Sequence, residues 1–147
     1  MRKSFKSNSK ILFFTIGFLI LGFLYYWLFR EPTIVSKFLG IKHFPIETIT
    51  WRMDWFPSLV HQFTFSIFTW LVLEKKYILF SLSFWFSINI FFELGQSLSK
   101  EYTQYFPKLI EDFCIYGTYS HEDIFAIMMA TLVAYLVMKN SKKKEES

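Results

Sequence analysis

Phe56–Leu73 reads FPSLVHQFTFSIFTWLVL, Glu74-Lys75-Lys76 follows, and Tyr77–Gln96 reads YILFSLSFWFSINIFFELGQ. The first run has His61 as its only ionisable group, and the second has only Glu93, close to its end. A hydrocarbon core of ~30 Å takes ~20 helical residues at ~1.5 Å each, so each run has the length and composition of a membrane span. Three charged residues between them leave room for a tight turn and little else. The segment therefore predicts a helical hairpin that crosses a bilayer twice.

The flanks extend the pattern. Ile11–Phe29 carries no charge, and neither does Ile124–Met138, which lengthens to a full span if its helix starts at His121. The expected fold is an all-α membrane protein with four transmembrane helices, at about 11–29, 56–73, 77–95 and 121–138, in a single domain over 1–147. A lysine-rich cytoplasmic tail is expected at 139–147. The composition agrees, with 53% hydrophobic residues and 20 phenylalanines among 147 positions, because a soluble domain would need polar surface interrupting these runs. Arg2, Lys3, Lys6 and Lys10 precede the first run and no A-x-A site follows it, so it reads as an uncleaved signal anchor.

Charge orients the spans. The N-terminal segment, the Glu74–Lys76 turn and the C-terminal tail would share a side, and they hold ten of the 16 basic residues. The two longer connections hold Arg30, Lys37, Lys42, Arg52, Lys100 and Lys108, and the second is acidic overall through Glu101, Glu111, Asp112, Glu122 and Asp123. The positive-inside rule then expects a multi-pass protein of the bacterial inner membrane with both termini in the cytoplasm. The lysines lie at tails and turn, where they would meet an anionic leaflet, and form no stripe suited to nucleic acid. Cys114 is the only cysteine, which excludes an intrachain disulfide and a cysteine-rich metal site.

The two outer connections are too long for simple turns. Arg30–Trp55 has Pro32, Gly40 and Pro45 between apolar clusters such as Phe38-Leu39. Ser97–Ser120 mixes Tyr102, Tyr105, Phe106, Leu109, Ile110 and Phe113 with charges. Both are expected to form interfacial helices at headgroup level. Ser120-His121-Glu122-Asp123 fits the S-x-x-[DE] start of a helix. Ala126, Ala130 and Ala134 then recur every fourth residue and offer a face on which a membrane-protein partner could dock. Gly17 and Gly22 offer a weaker version in the first helix.

The polar residues inside these runs are the candidate site. With this topology His61, Asn89, Glu93, Gln96 and Asp123 all fall in the outward half. Asn89, Glu93 and Gln96 share a helix face by their spacing of four and three. Ionisable groups at membrane depth are costly and point to function. His61 and Glu93 are the candidates for acid–base work, and His61, Glu93, Gln96 and Asp123 for binding. Each has a plainer role available: Glu93 at the interface, Asn89 and Gln96 as interhelical glue, Asp123 as a helix-start residue, His61 in a structural hydrogen bond. His61, Glu93, His121 and Asp123 lack the spacing of a metal motif, so neither metal nor cofactor is expected. No G-x-S-x-G, P-loop or GxGxxG is present.

These residues resemble the VanZ-like family of small polytopic bacterial membrane proteins. Its pattern has a histidine early in one helix, E-x-x-Q at the end of the next, and an aspartate opening the last. The matching positions are His61 with Phe63 and Phe65, Glu93-Leu94-Gly95-Gln96, and Ser120-His121-Glu122-Asp123, so the likeness covers roughly Asp54 to Val137. The chain departs from it in having no arginine between Lys108 and Asp123, and Ile127 and Ala130 where the family often has Asn and Gly. The resemblance implies a cell-envelope role, since its name member is linked to resistance to the glycopeptide teicoplanin, and it implies no established reaction. The leading expectation is an outward site that binds a lipid-linked or cell-wall component. The alternatives are an intramembrane hydrolase or transferase acting on a lipid head group, and a non-catalytic assembly partner.

Overall fold

The computed structural model describes residues 2–29, 53–116 and 119–146. These residues form helices and turns, with no strand among them. The helices are α1 (Arg2–Phe29), α2 (Phe56–Val72), α3 (Ile78–Gln96), α4 (Lys100–Thr103), α5 (Lys108–Tyr116) and α6 (His121–Glu146). The hairpin is present with ends within a residue of those expected. The interfacial helix expected within 30–55, with Pro32, Gly40 and Pro45, falls mostly outside the described residues.

α2 is the central helix and packs against α1, α3 and α6. It starts with Pro57 in its first turn, where a missing N–H costs nothing. It ends in a Schellman turn: Glu74 N–H bonds the Leu71 carbonyl at 3.1 Å and Lys75 N–H bonds the Trp70 carbonyl at 2.9 Å. Glu74 and Lys75 have φ of 54° and 64°, left-handed values that glycine more often supplies. That double reversal sends α3 back antiparallel to α2. The aromatic pairs Phe14–Phe63, Phe18–Phe56 and Tyr25–Phe56 show that α1 is antiparallel to α2 as well. Hydrogen bonds Ser58–Asp123, Gln62–Thr131 and Lys75–Ser141 show that α6 is parallel to it.

The surface is apolar and much of the interior is polar. Phe13 on α1 is 82% exposed, Leu79 on α3 is 73% and Phe125 on α6 is 65%, while Gln62, Thr64 and Ser66 are fully buried. Ile78–Gln96 and His121–Lys143 are long and apolar enough to cross a membrane, and only 22% and 33% of those stretches is buried within the chain. The core helix of a soluble domain would be buried over most of its length.

The core itself joins Phe63, Ile67 and Trp70 of α2 to Leu82 of α3 and to Ala130, Ala134 and Met138 of α6. Ala126, Ala130 and Ala134 are all buried. Their small side chains admit α2 and α3, so the face expected to be open to a partner is occupied within the chain. The two glycines of α1 part ways: a Cβ at Gly22 would meet Val60 Cγ1 at 2.7 Å, and one at Gly17 would meet nothing within 4 Å. α6 does not stop at Met138 but continues to Glu146. Lys, Glu and Asn do not break a helix, so the expected tail at 139–147 is, through 146, an extension of α6.

Candidate functional site

The polar groups of α2, α3 and α6 are arranged in layers along their shared interface. The layer farthest from the Glu74–Lys76 turn is acidic. There the Ser58 hydroxyl donates a 2.8 Å hydrogen bond to Asp123 Oδ1. Asp123 lies in the first turn of α6, where Glu122 N–H donates to Ser120 Oγ at 3.1 Å. Asp123 is 5% exposed and Glu93, in the last full turn of α3, is 8% exposed.

One turn inward lies a network centred on Gln62. Its Nε2 donates to Thr131 Oγ1 at 2.9 Å and to Ser66 Oγ at 3.3 Å, while its Oε1 accepts from Asn89 Nδ2 at 2.8 Å. Thr131 in turn donates to the Ile127 carbonyl at 2.8 Å. Three helices are thus cross-linked through one buried amide. Deeper still, Trp85 Nε1 donates to Thr69 Oγ1 at 2.7 Å, and the Trp85 ring stacks on Phe65 at 4.8 Å. The apolar cluster of Phe63, Ile67, Trp70, Leu82, Ala130, Ala134 and Met138 runs beside these polar groups and continues toward the Glu74–Lys76 turn.

This geometry places the residues singled out from sequence. The pairs Gln62–Asn89 and Thr69–Trp85 set an antiparallel register in which Glu93 lies level with the Ser58–His61 turn of α2. Ser58 carries Asp123 to the same level. His61 is half-buried one step around the helix from Gln62, its ring 5.6 Å from that of Phe65, on the flank that faces Trp85. Gln96 is half-buried and ends α3, one turn past Glu93. Asn89 binds helix to helix. His121 is exposed at the start of α6, where the Tyr119 hydroxyl and His121 Nδ1 are 3.1 Å apart. Among the described residues no group of three or more His, Cys, Asp or Glu side chains could hold a metal ion.

Sequence reading overlooked Gln62 and Ser58. The signal was available: Ser58, Gln62, Ser66 and Thr69 recur along α2 at steps of four, four and three, a polar stripe on one face of the helix.

α5 lies beside the other flank of α3, with α4 packed on α5. A Cβ at Gly95 would stand 2.8 Å from Cys114 Sγ, and Phe91 meets Phe106 at 6.4 Å. Gly95 is about 200° around the helix from Glu93 at ~100° per residue, so α5 covers the back of α3 and leaves the Glu93 face to α2 and α6. Burial pushes the Cys114 thiol above its ordinary pKa.

The chain matches no protein-family model, no curated protein and no solved structure.

Proposed function

We propose that the chain is a four-helix integral membrane protein of the VanZ-like type, set in the bacterial inner membrane with both termini cytoplasmic. Its acidic end faces outward and binds a lipid-linked or cell-wall component of the envelope. Ser58 positions Asp123, Glu93 lies level with it on α3, and His61 and Gln96 flank them. The observation that carries this reading is the burial of two carboxylates, Glu93 and Asp123, at one level of a bundle whose outer surface is phenylalanine, leucine and methionine. Ionisable groups held at this depth are costly to place and mark functional positions more often than packing positions.

The test is a set of single variants, His61→Ala, Glu93→Gln, Gln96→Ala and Asp123→Asn, expressed in a bacterial host challenged with teicoplanin. Membrane insertion is followed in parallel by carbonate extraction. The expected result is loss of the resistance phenotype with insertion intact. Full phenotype in all four variants would sink the site.

A further inference from the structure

At the end opposite Glu93 and Asp123, three elements bring positive charge together. α1 begins there, because it runs antiparallel to α2, and Lys10 is exposed on it. The α2–α3 turn contributes Lys75 and Lys76. α6 passes Met138 still helical and presents Lys139, Lys142 and Lys143, all exposed. The opposing charges at this end are Glu74, which pairs with Lys76 at 2.8 Å, and Glu145 and Glu146 in the last turn of α6.

The extension of α6 is held in place. Lys75 Nζ donates to Ser141 Oγ at 3.3 Å, and both residues are buried. The same ammonium lies 5.3 Å over the Trp70 ring, and Lys139 lies 5.6 Å over Tyr135. Lys142 and Lys143 follow the pinned Ser141 directly, so their charge is presented from a fixed helix rather than a mobile tail. The Tyr135 ring beneath the exposed Lys139 suits the boundary between hydrocarbon and headgroup, where amphipathic rings and long cationic stems both settle.

We propose that this basic end is a binding surface for the headgroups of anionic phospholipids. The proposal rests on the membrane reading but not on the outward site. Each lysine near an anionic surface contributes about a five-fold preference, so Lys142 and Lys143 together account for on the order of a ten- to thirty-fold preference before salt screening.

The experiment uses the full chain in phosphatidylcholine vesicles doped with spin-labelled phosphatidylglycerol or spin-labelled phosphatidylcholine. The motionally restricted fraction seen by electron paramagnetic resonance gives a relative association constant. Wild type is expected to prefer phosphatidylglycerol several-fold. Lys142→Gln/Lys143→Gln should lower the ratio several-fold, leaving the share owed to Lys10, Lys76 and Lys139, and raised salt should weaken it. Lys108→Gln, exposed on α5 at the acidic end, should leave it unchanged. Equal association of the two lipids with wild type, or a double variant that keeps the wild-type ratio, would overturn the proposal. Absence of a restricted component with either lipid would overturn the membrane reading and the proposal with it.

Discussion

The Asn89 amide donates to the Gln62 carbonyl oxygen at 2.8 Å across the α2–α3 interface, and the other end of the same Gln62 side chain reaches α6. Gln62 has two N–H donors and an oxygen acceptor, and all three functions are used. A single residue therefore fixes the rotation of three helices about one another.

Gln62→Leu should destabilise the bundle by ~1–2 kcal/mol. It removes two interhelical contacts, each worth ~0.6 kcal/mol on average between membrane helices, and one within α2, and leaves Asn89 with a half-buried amide to satisfy. Asn89→Leu should cost less, because it removes one contact. In the double variant the costs should not add, and the coupling measures the Gln62–Asn89 bond. Reversible unfolding in mixed micelles reads all four corners of the cycle. A strictly additive result would show that the bond carries no net energy.

α1 depends on one glycine and not the other. Gly22→Ala drives a methyl to 2.7 Å from Val60 Cγ1 and should cost ~1–3 kcal/mol, whereas Gly17→Ala meets open space and should be neutral or mildly stabilising through helix propensity. Val60→Ala in the Gly22→Ala background should recover part of the loss. Equal effects at the two glycines would contradict the α1–α2 contact.

The two glycines also mark what the sequence can and cannot convey. The ends of α2 and α3 were legible to within a residue because Glu74-Lys75-Lys76 forms a turn between two apolar runs, whereas α1 starts at Arg2 and α6 continues to Glu146, because basic residues bound an apolar run without ending a helix. Rotation about each helix axis was not legible. Gly17 and Gly22 read alike, and His61 stood out over Gln62 because it can carry charge. Yet the adjacent position, ~100° around the helix, is the fully buried one. The alanine stripe announced a close approach without saying whether its partner was α2 or a second protein. Of the site, the shared level of Glu93 and Asp123 followed from topology alone, while the Ser58–Asp123 bond needed coordinates.

The turn between α2 and α3 offers a backbone test with a pH signature. Glu74 sits at φ 54° where the Schellman turn favours glycine. Glu74→Gly and Glu74→Ala both lose the Lys76 pair, so their difference isolates the backbone. Glycine should favour the folded state roughly five-fold or more over alanine. In wild type, the hydrogen bond and charge of Lys76 hold the Glu74 carboxyl below its usual range, and Glu74 raises Lys76. The Glu74 contribution is therefore present above the unfolded carboxylate pKa and fades as pH falls through the lowered folded value. The Lys76 contribution is present below the unfolded lysine pKa and fades as pH rises through the raised one. Both groups are fully exposed, so the effect should be small and vanish in high salt. A pH dependence that survives molar salt would point to another group.

Cys114 reports on the fit of α5 against α3. Its thiol is buried and its pKa is raised by that burial, so little thiolate forms near neutral pH and alkylation by a maleimide should be slow. The rate should go on climbing at pH values where that of a free thiol has levelled off. Gly95→Ala brings a methyl to 2.8 Å from Cys114 Sγ, and the short cysteine side chain has little room to yield, so α5 should shift outward. Labelling should then speed up several-fold with little loss of global stability, because α5 is absent from the Gln62 network and from the apolar core. Gly95→Cys makes the complementary prediction. The same closeness lets an S–S bond of ~2.05 Å join the two helices, so mild oxidation should abolish labelling and reduction restore it. Rapid wild-type labelling at neutral pH, or failure of the Gly95→Cys variant to cross-link, would show that α5 does not lie against Gly95.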